Sequence, residues 1–278
     1  MFKPRPGRPR RRRIIRPPRI PGLSINRLIP NILTLLALCA GLTSIRFGLH
    51  EKWEHAVLAI ILAAVLDGLD GRVARLLQGT SKFGAELDSL SDFVCFGVAP
   101  AVLLYLWTMQ GAGGLGWALV LLYTVCCALR LARFNTMLGQ PDLPPYAYNF
   151  FTGVPAPAAA GLTLLPMVAS FEFGTGFFDR PAVVAVVLTG VSLLMVSTIP
   201  TFSFKKVRVP NTWVLPMLLV VGLTAAFLVT EPWLTLAVVG VAYIALIPVA
   251  VRAFRRLRGQ AESAAEPPPE GGADPGVV

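Results

Sequence analysis

The sequence predicts an all-α integral membrane protein, a polytopic bundle of about eight transmembrane helices. Three observations predict it. The chain of 278 residues is 55% hydrophobic and only 14% charged, whereas soluble domains carry about 25% charged residues. Its mean hydropathy is +0.66. Its apolar residues also gather into runs close to the roughly 20 residues that a bilayer core asks of a helix.

Eight such runs follow one another at 29–47, 56–77, 83–107, 115–132, 153–171, 182–199, 212–230 and 233–251. They divide the chain into a basic arm (1–27), a transmembrane catalytic domain (28–252) and a tail (253–278). The arm, PRPGRPRRRRIIRPPRIP, holds too much proline and repulsive charge to fold alone. Each arginine near an anionic leaflet adds about 1 kcal/mol of attraction, so the arm reads as a membrane-surface tether. The tail after Gly259, rich in Glu, Pro, Ala and Gly, reads as disordered.

Eight spans put both termini on one side. Of the 25 Lys and Arg, 22 then fall on that side, leaving Arg46, Lys52 and Arg180 on the other. By the positive-inside rule both termini are cytoplasmic, in the plasma membrane. All five tryptophans lie near span ends, where an amphipathic ring prefers the headgroup level. The net charge of +10 is therefore topological, and nucleic acid is not expected as a partner. A signal peptide is disfavoured, because Asn31 and Thr34 interrupt the first apolar run early.

The cysteines, Cys39, Cys95, Cys126 and Cys127, sit inside apolar runs without paired metal spacing and read as small buried hydrophobes. The two histidines, His50 and His55, lie in the first short connection, far from any acid cluster. Histidine-based catalysis is thus not expected.

The second and third spans carry Asp67, Asp70, Asp88 and Asp92. Each aspartate at mid-membrane costs about 2.5–3.5 kcal/mol on insertion scales, so something cationic must offset four of them. On a helix Asp67, Asp70, Gly71 and Ala74 share one sector, and Asp88 and Asp92 form an i, i+4 pair on the next. Two antiparallel neighbours can converge these carboxylates into a hard-oxygen pocket for one or two Mg²⁺ or Mn²⁺ ions. Gly71 and Ala74 leave room for a ligand, while Arg75 and the turn Thr80-Ser81-Lys82 offer donors suited to phosphate. Simple pairing with Arg72 and Arg75, or an ion-transport path, are the competing readings.

From Asp67 to Asp92 the chain spells D-x-x-D-G-x-x-A-R-x8-G-x3-D-x3-D, with Gly84 at the isolated glycine. This resembles the signature of the CDP-alcohol phosphotransferase family at all eight positions. The resemblance implies a fold with a six-helix core, usually dimeric, to which the last two spans are additional. It implies that Asp67, Asp70 and Asp88 ligate metal, and that Asp92 joins the metal site and acts as general base. Gly71, Ala74 and Arg75, with Asn31 and Thr34 from the first span and Ser81 more weakly, would contact CDP-diacylglycerol.

Three further stretches look like the phosphatidylserine synthase branch of that family: DSLSDFVCFGVAPA (88–101), ALRLARFN (128–135) and FFTGVPAPAAA (150–160). They imply L-serine as the second substrate. Serine needs a cation for its carboxylate, and Arg130, Arg133 and Asn135 are the expected contacts, with Arg133→Ala expected to raise the KM for serine selectively. Glycerol 3-phosphate or an inositol phosphate as acceptor, and a divalent-cation transporter, are the alternatives.

Overall fold

The computed structural model describes residues 25–137, 150–202 and 211–265. The basic arm through residue 24 and the tail from residue 266 lie outside them. Helical segments stand at each expected run. They are α1 (Ile25–Leu49), α2 (Trp53–Leu76), α3 (Lys82–Asp92), a π-helix (Phe93–Val98), α4 (Ala99–Trp107) and α5 (Gly113–Met137). Then follow α6 (Ala156–Thr163), α7 (Leu165–Phe173), α8 (Pro181–Val196), α9 (Asn211–Thr230) and α10 (Pro232–Ala265).

Among the described residues, five stretches are long and apolar enough to cross a membrane: Leu28–Leu49, Lys82–Trp107, Met109–Thr136, Ala156–Phe173 and Pro232–Leu257. Pro181–Val196 and Val214–Thr230 are apolar but shorter. α2 has the length, yet its last third holds Asp67, Asp70, Arg72 and Arg75. The protein is thus a polytopic helical membrane protein.

Four details depart from the expectations. A two-stranded antiparallel ribbon, β1 (Phe150–Thr152) with β2 (Pro200–Phe202), interrupts the all-α pattern. It forms because Gly153 takes φ +77, where an added Cβ would lie 2.7 Å from Met195 O; only glycine turns the chain so close to α8. The fifth run is split at Leu164, with Pro166 in the first turn of α7, where its missing N–H costs nothing. α10 runs on to Ala265, into the segment expected as a disordered tail. Finally, Cys39 is exposed, while Cys95, Cys126 and Cys127 are buried as expected and all four are free.

α1 and α2 form the most extensive helix pair. The π-helix packs behind them, with Cys95 Sγ donating to Ala37 O at 3.3 Å. A Cβ on Gly41 would come within 2.6 Å of that sulfur, so a small residue fixes the approach of α1 to the π-helix. On the other side Tyr123 of α5, fully buried, donates its hydroxyl to Phe96 O at 2.9 Å. α6 and α8 complete the core around α5, and α7 carries α10. This frame holds the start of α1, the end of α2, the start of α3 and the end of α5 at one end of the bundle.

Candidate metal and nucleotide site

Asp67, Asp70 and Asp88 bring carboxylate oxygens within 4.8 Å of one another. Opposed oxygen ligands around a small divalent ion span roughly 4–5 Å, so the three fit a metal ion without rearrangement of the helices. Asp70 is almost fully buried, at 4% exposure. Thr34 orients it from α1: its hydroxyl donates to Asp70 Oδ2 and lies 3.1 Å from Pro30 O. Ser91 of α3 in turn reaches Thr34 O at 3.3 Å. Thr34 is therefore a link between helices as well as a cavity residue. Arg72 and Arg75 are exposed, which argues against simple charge pairing as the reason for the acids.

Asp92 sits one turn deeper, beside Asp67. Its Oδ1 is buried and makes no hydrogen bond among the described residues. An unpartnered, buried carboxylate oxygen at the foot of an acid cluster is available to take a proton or a ligand.

A cavity of about 340 Å³ opens over the cluster. Asn31 and Thr34 of α1, Asp70, Gly71, Ala74 and Arg75 of α2, Ser81 just before α3, and Gly84 and Asp88 of α3 all line it. Every residue expected to contact the nucleotide is thus on one wall or another. Pro30, Gly79, Thr80 and Ala85 line it too; of these only Thr80 carried a signal, as a donor in the turn. A Cβ added to Gly71 would meet only Arg75 Nη1, at 3.8 Å, so the space above α2 is open. At Gly84 it would lie 2.9 Å from Asn31 Oδ1, so there the glycine permits α1 and α3 to approach.

Ser81 has a local task. Its hydroxyl accepts from Gly84 N at 3.0 Å and caps α3. The start of α3 faces the cavity beside Arg75, and the free N–H groups of a helix start favour an anion there.

The residues expected for serine separate. Arg130 is buried, at 8% exposure, in the electrostatic reach of Asp92. Arg133 is spent on the chain itself: its guanidinium donates to Val196 O at 2.9 Å, Ser197 O at 3.1 Å and Thr152 O at 3.2 Å. It fastens the end of α5 to the end of α8 and to β1. Asn135 donates to Ser89 Oγ at 2.9 Å, tying α5 to α3.

The profile of the CDP-alcohol phosphatidyltransferase family matches residues 27–196. A second profile, CDP-alcohol phosphatidyltransferase 2, matches residues 212–248. The chain is 42% identical over 251 residues to a Mycobacterium tuberculosis protein named CDP-diacylglycerol–serine O-phosphatidyltransferase, covering 90% of this chain and 84% of that one. A Helicobacter pylori protein of the same name is 37% identical over 213 residues, covering 76% and 85%. An archaetidylserine synthase of Methanothermobacter thermautotrophicus is 35% identical over 176 residues, covering 62% and 68%.

Proposed function

Because the chain belongs to the CDP-alcohol phosphatidyltransferase family, we propose that it transfers a phosphatidyl group from CDP-diacylglycerol to L-serine, giving phosphatidylserine and CMP. One observation carries this reading. Three carboxylates converge, and two of them, Asp70 and Asp88, border a cavity whose walls carry the nucleotide-side residues Asn31, Gly71, Ala74, Arg75 and Gly84. The names of the relatives add the acceptor.

Asp67, Asp70 and Asp88 would hold the divalent cation, one or two ions of Mg²⁺ or Mn²⁺, with Asp92 beside them. When bound, the metal supplies charge neutralisation for a pyrophosphate and its leaving group. The remaining chemistry belongs to the chain. Arg75 and the start of α3 receive the phosphates. Gly71 and Ala74 let the nucleotide lie close to α2. Asp92, through its unpartnered oxygen, takes the proton of the serine hydroxyl. The serine oxygen then bonds to the lipid-bearing phosphorus as the bond from that phosphorus to CMP breaks, and CMP leaves as the phosphate anion. Arg130, the buried cation nearest Asp92, receives the serine carboxylate.

The topology is part of the same reading: eight spans, with a six-helix core and a C-terminal pair, an arm and a tail on the cytoplasmic side. The Lys and Arg distribution supports that orientation in the plasma membrane, and the family resemblance supports a homodimer.

The test is CMP release by the purified protein given CDP-diacylglycerol and a panel of alcohols. L-serine alone is expected to drive rapid release. Preference for glycerol 3-phosphate or an inositol phosphate would move the acceptor assignment, and no CMP with any alcohol would favour ion transport.

A further inference from the structure

Four buried side-chain atoms make no hydrogen bond among the described residues: Asp92 Oδ1, Arg130 Nε, Thr163 Oγ1 and Tyr243 Oη. Thr163 stands apart, beside Tyr123. The other three are linked through Arg130, which lies within electrostatic reach of Asp92 on one side and of Tyr243 on the other. They arrive from α3, α5 and α10, helices far apart in sequence. Buried polar atoms are nearly always paired; three unpaired atoms linked through Arg130, itself more than nine-tenths buried, call for a ligand.

Tyr243 is held so that its two ends meet different surroundings. It borders an apolar cavity of about 260 Å³ between α2, α6, α7 and α10. Its hydroxyl lies toward Thr201 and Arg130. The Thr201 hydroxyl proton is committed to Gly153 O at 2.8 Å, and the tyrosine hydroxyl makes no hydrogen bond among the described residues.

We propose that Tyr243 is an acceptor-binding residue, whose hydroxyl and the Arg130 guanidinium together hold the carboxylate of the incoming amino acid while its hydroxyl arm reaches Asp92. The proposal rests on the reading of the acceptor given above and extends it to the C-terminal helices, which the metal cluster does not use. The three groups are one cation, one neutral donor and one anion. A zwitterionic amino acid matches that set, with carboxylate toward Arg130 and Tyr243, and ammonium and hydroxyl toward Asp92. A phosphorylated alcohol would set its dianion against Asp92 with a single arginine to offset it. The charge set thus selects by class of headgroup, and Tyr243 completes the carboxylate side.

Tyr243→Phe keeps the ring against the apolar cavity and removes only the hydroxyl. In full-length protein in detergent, the KM for L-serine is expected to rise about tenfold or more, as for loss of one hydrogen bond to a charged group. The KM for CDP-diacylglycerol stays within about twofold, and the rate with ethanolamine, which lacks the carboxylate, falls far less than the rate with serine. The melting temperature holds or rises, because an unpartnered hydroxyl has been removed. An unchanged serine KM, an equal rise in both KM values, or a melting temperature lowered by several degrees would each overturn the assignment. If the wild-type protein releases no CMP with serine, the acceptor reading itself fails. Tyr243 is then judged on the alcohol that the wild type does use, an unchanged KM for it counting against the residue.

Discussion

The acid-bearing helices and α9 both belong to apolar runs of the chain, yet they are held in opposite ways. α1, α2 and α3 are joined by Thr34 to Asp70, by Ser91 to Thr34 O, and by the close approaches at Gly41 and Gly84. Every side chain of α9 from Val214 to Thr230 is exposed. Within a membrane, lipid tails are as apolar as leucine, so hydrophobicity keeps a helix in the bilayer without choosing its neighbours. Small residues and interhelical hydrogen bonds choose them. The first region has both and can fix the placement of a site, while α9 packs beside α10.

The contrast sets an order of effects. Largest is the metal cluster: Asp88→Asn, or exhaustive chelation of the wild type, is expected to cut CMP release about a thousandfold, as for loss of several kcal/mol of transition-state stabilisation. Undiminished turnover in chelator would break the comparison at its root. Asp92→Asn should lower kcat by roughly 10²–10⁴ while the KM for CDP-diacylglycerol stays put, and steady-state kinetics with both substrates varied checks this. Gly84→Val forces α3 away from Asn31 and should raise the KM for the lipid about tenfold, with serine's KM following much less.

Arg133→Ala tests the assignment that changed most. Because its guanidinium holds three backbone carbonyls, its loss should lower stability by about 1–3 kcal/mol. The change would be seen as a lower melting temperature with the serine KM unmoved. A selective rise in that KM would restore Arg133 to the acceptor site. At the bottom of the scale, Leu219→Ala on α9 should change stability by less than about 0.5 kcal/mol and leave kinetics alone.

Much of the site was legible before the structure. The i, i+3 pair Asp67 and Asp70 and the i, i+4 pair Asp88 and Asp92 are set by helical geometry, and a short turn brings their helices together. Gly71 and Ala74 share the helix sector of the acids, where small side chains leave room for a ligand, although Gly84 serves close helix approach instead. Arginine at 130 and at 133 could not be told apart in the same way. Both satisfy the positive-inside rule, and only the path of α8 and β1 decides that one guanidinium meets carbonyls while the other stays unspent. β1 and β2 were hidden for a similar reason: three-residue strands leave no periodicity. Tyr243 was hidden too, as a lone tyrosine in an apolar run, whose neighbours Thr201 and Arg130 lie far off in the sequence.

The π-helix at Phe93–Val98 bears on all of this although it contains no ionisable side chain except a buried cysteine. Each residue turns an α-helix by about 100°, so the wider winding of one such turn offsets the azimuth of everything before it against everything after. Asp88 lines the cavity, while Phe96, Ala99 and Leu103 lie in the core. A one-residue deletion there would swing the carboxylates off their target without touching any of them, so the aim of the acids is set by the pitch of an apolar coil.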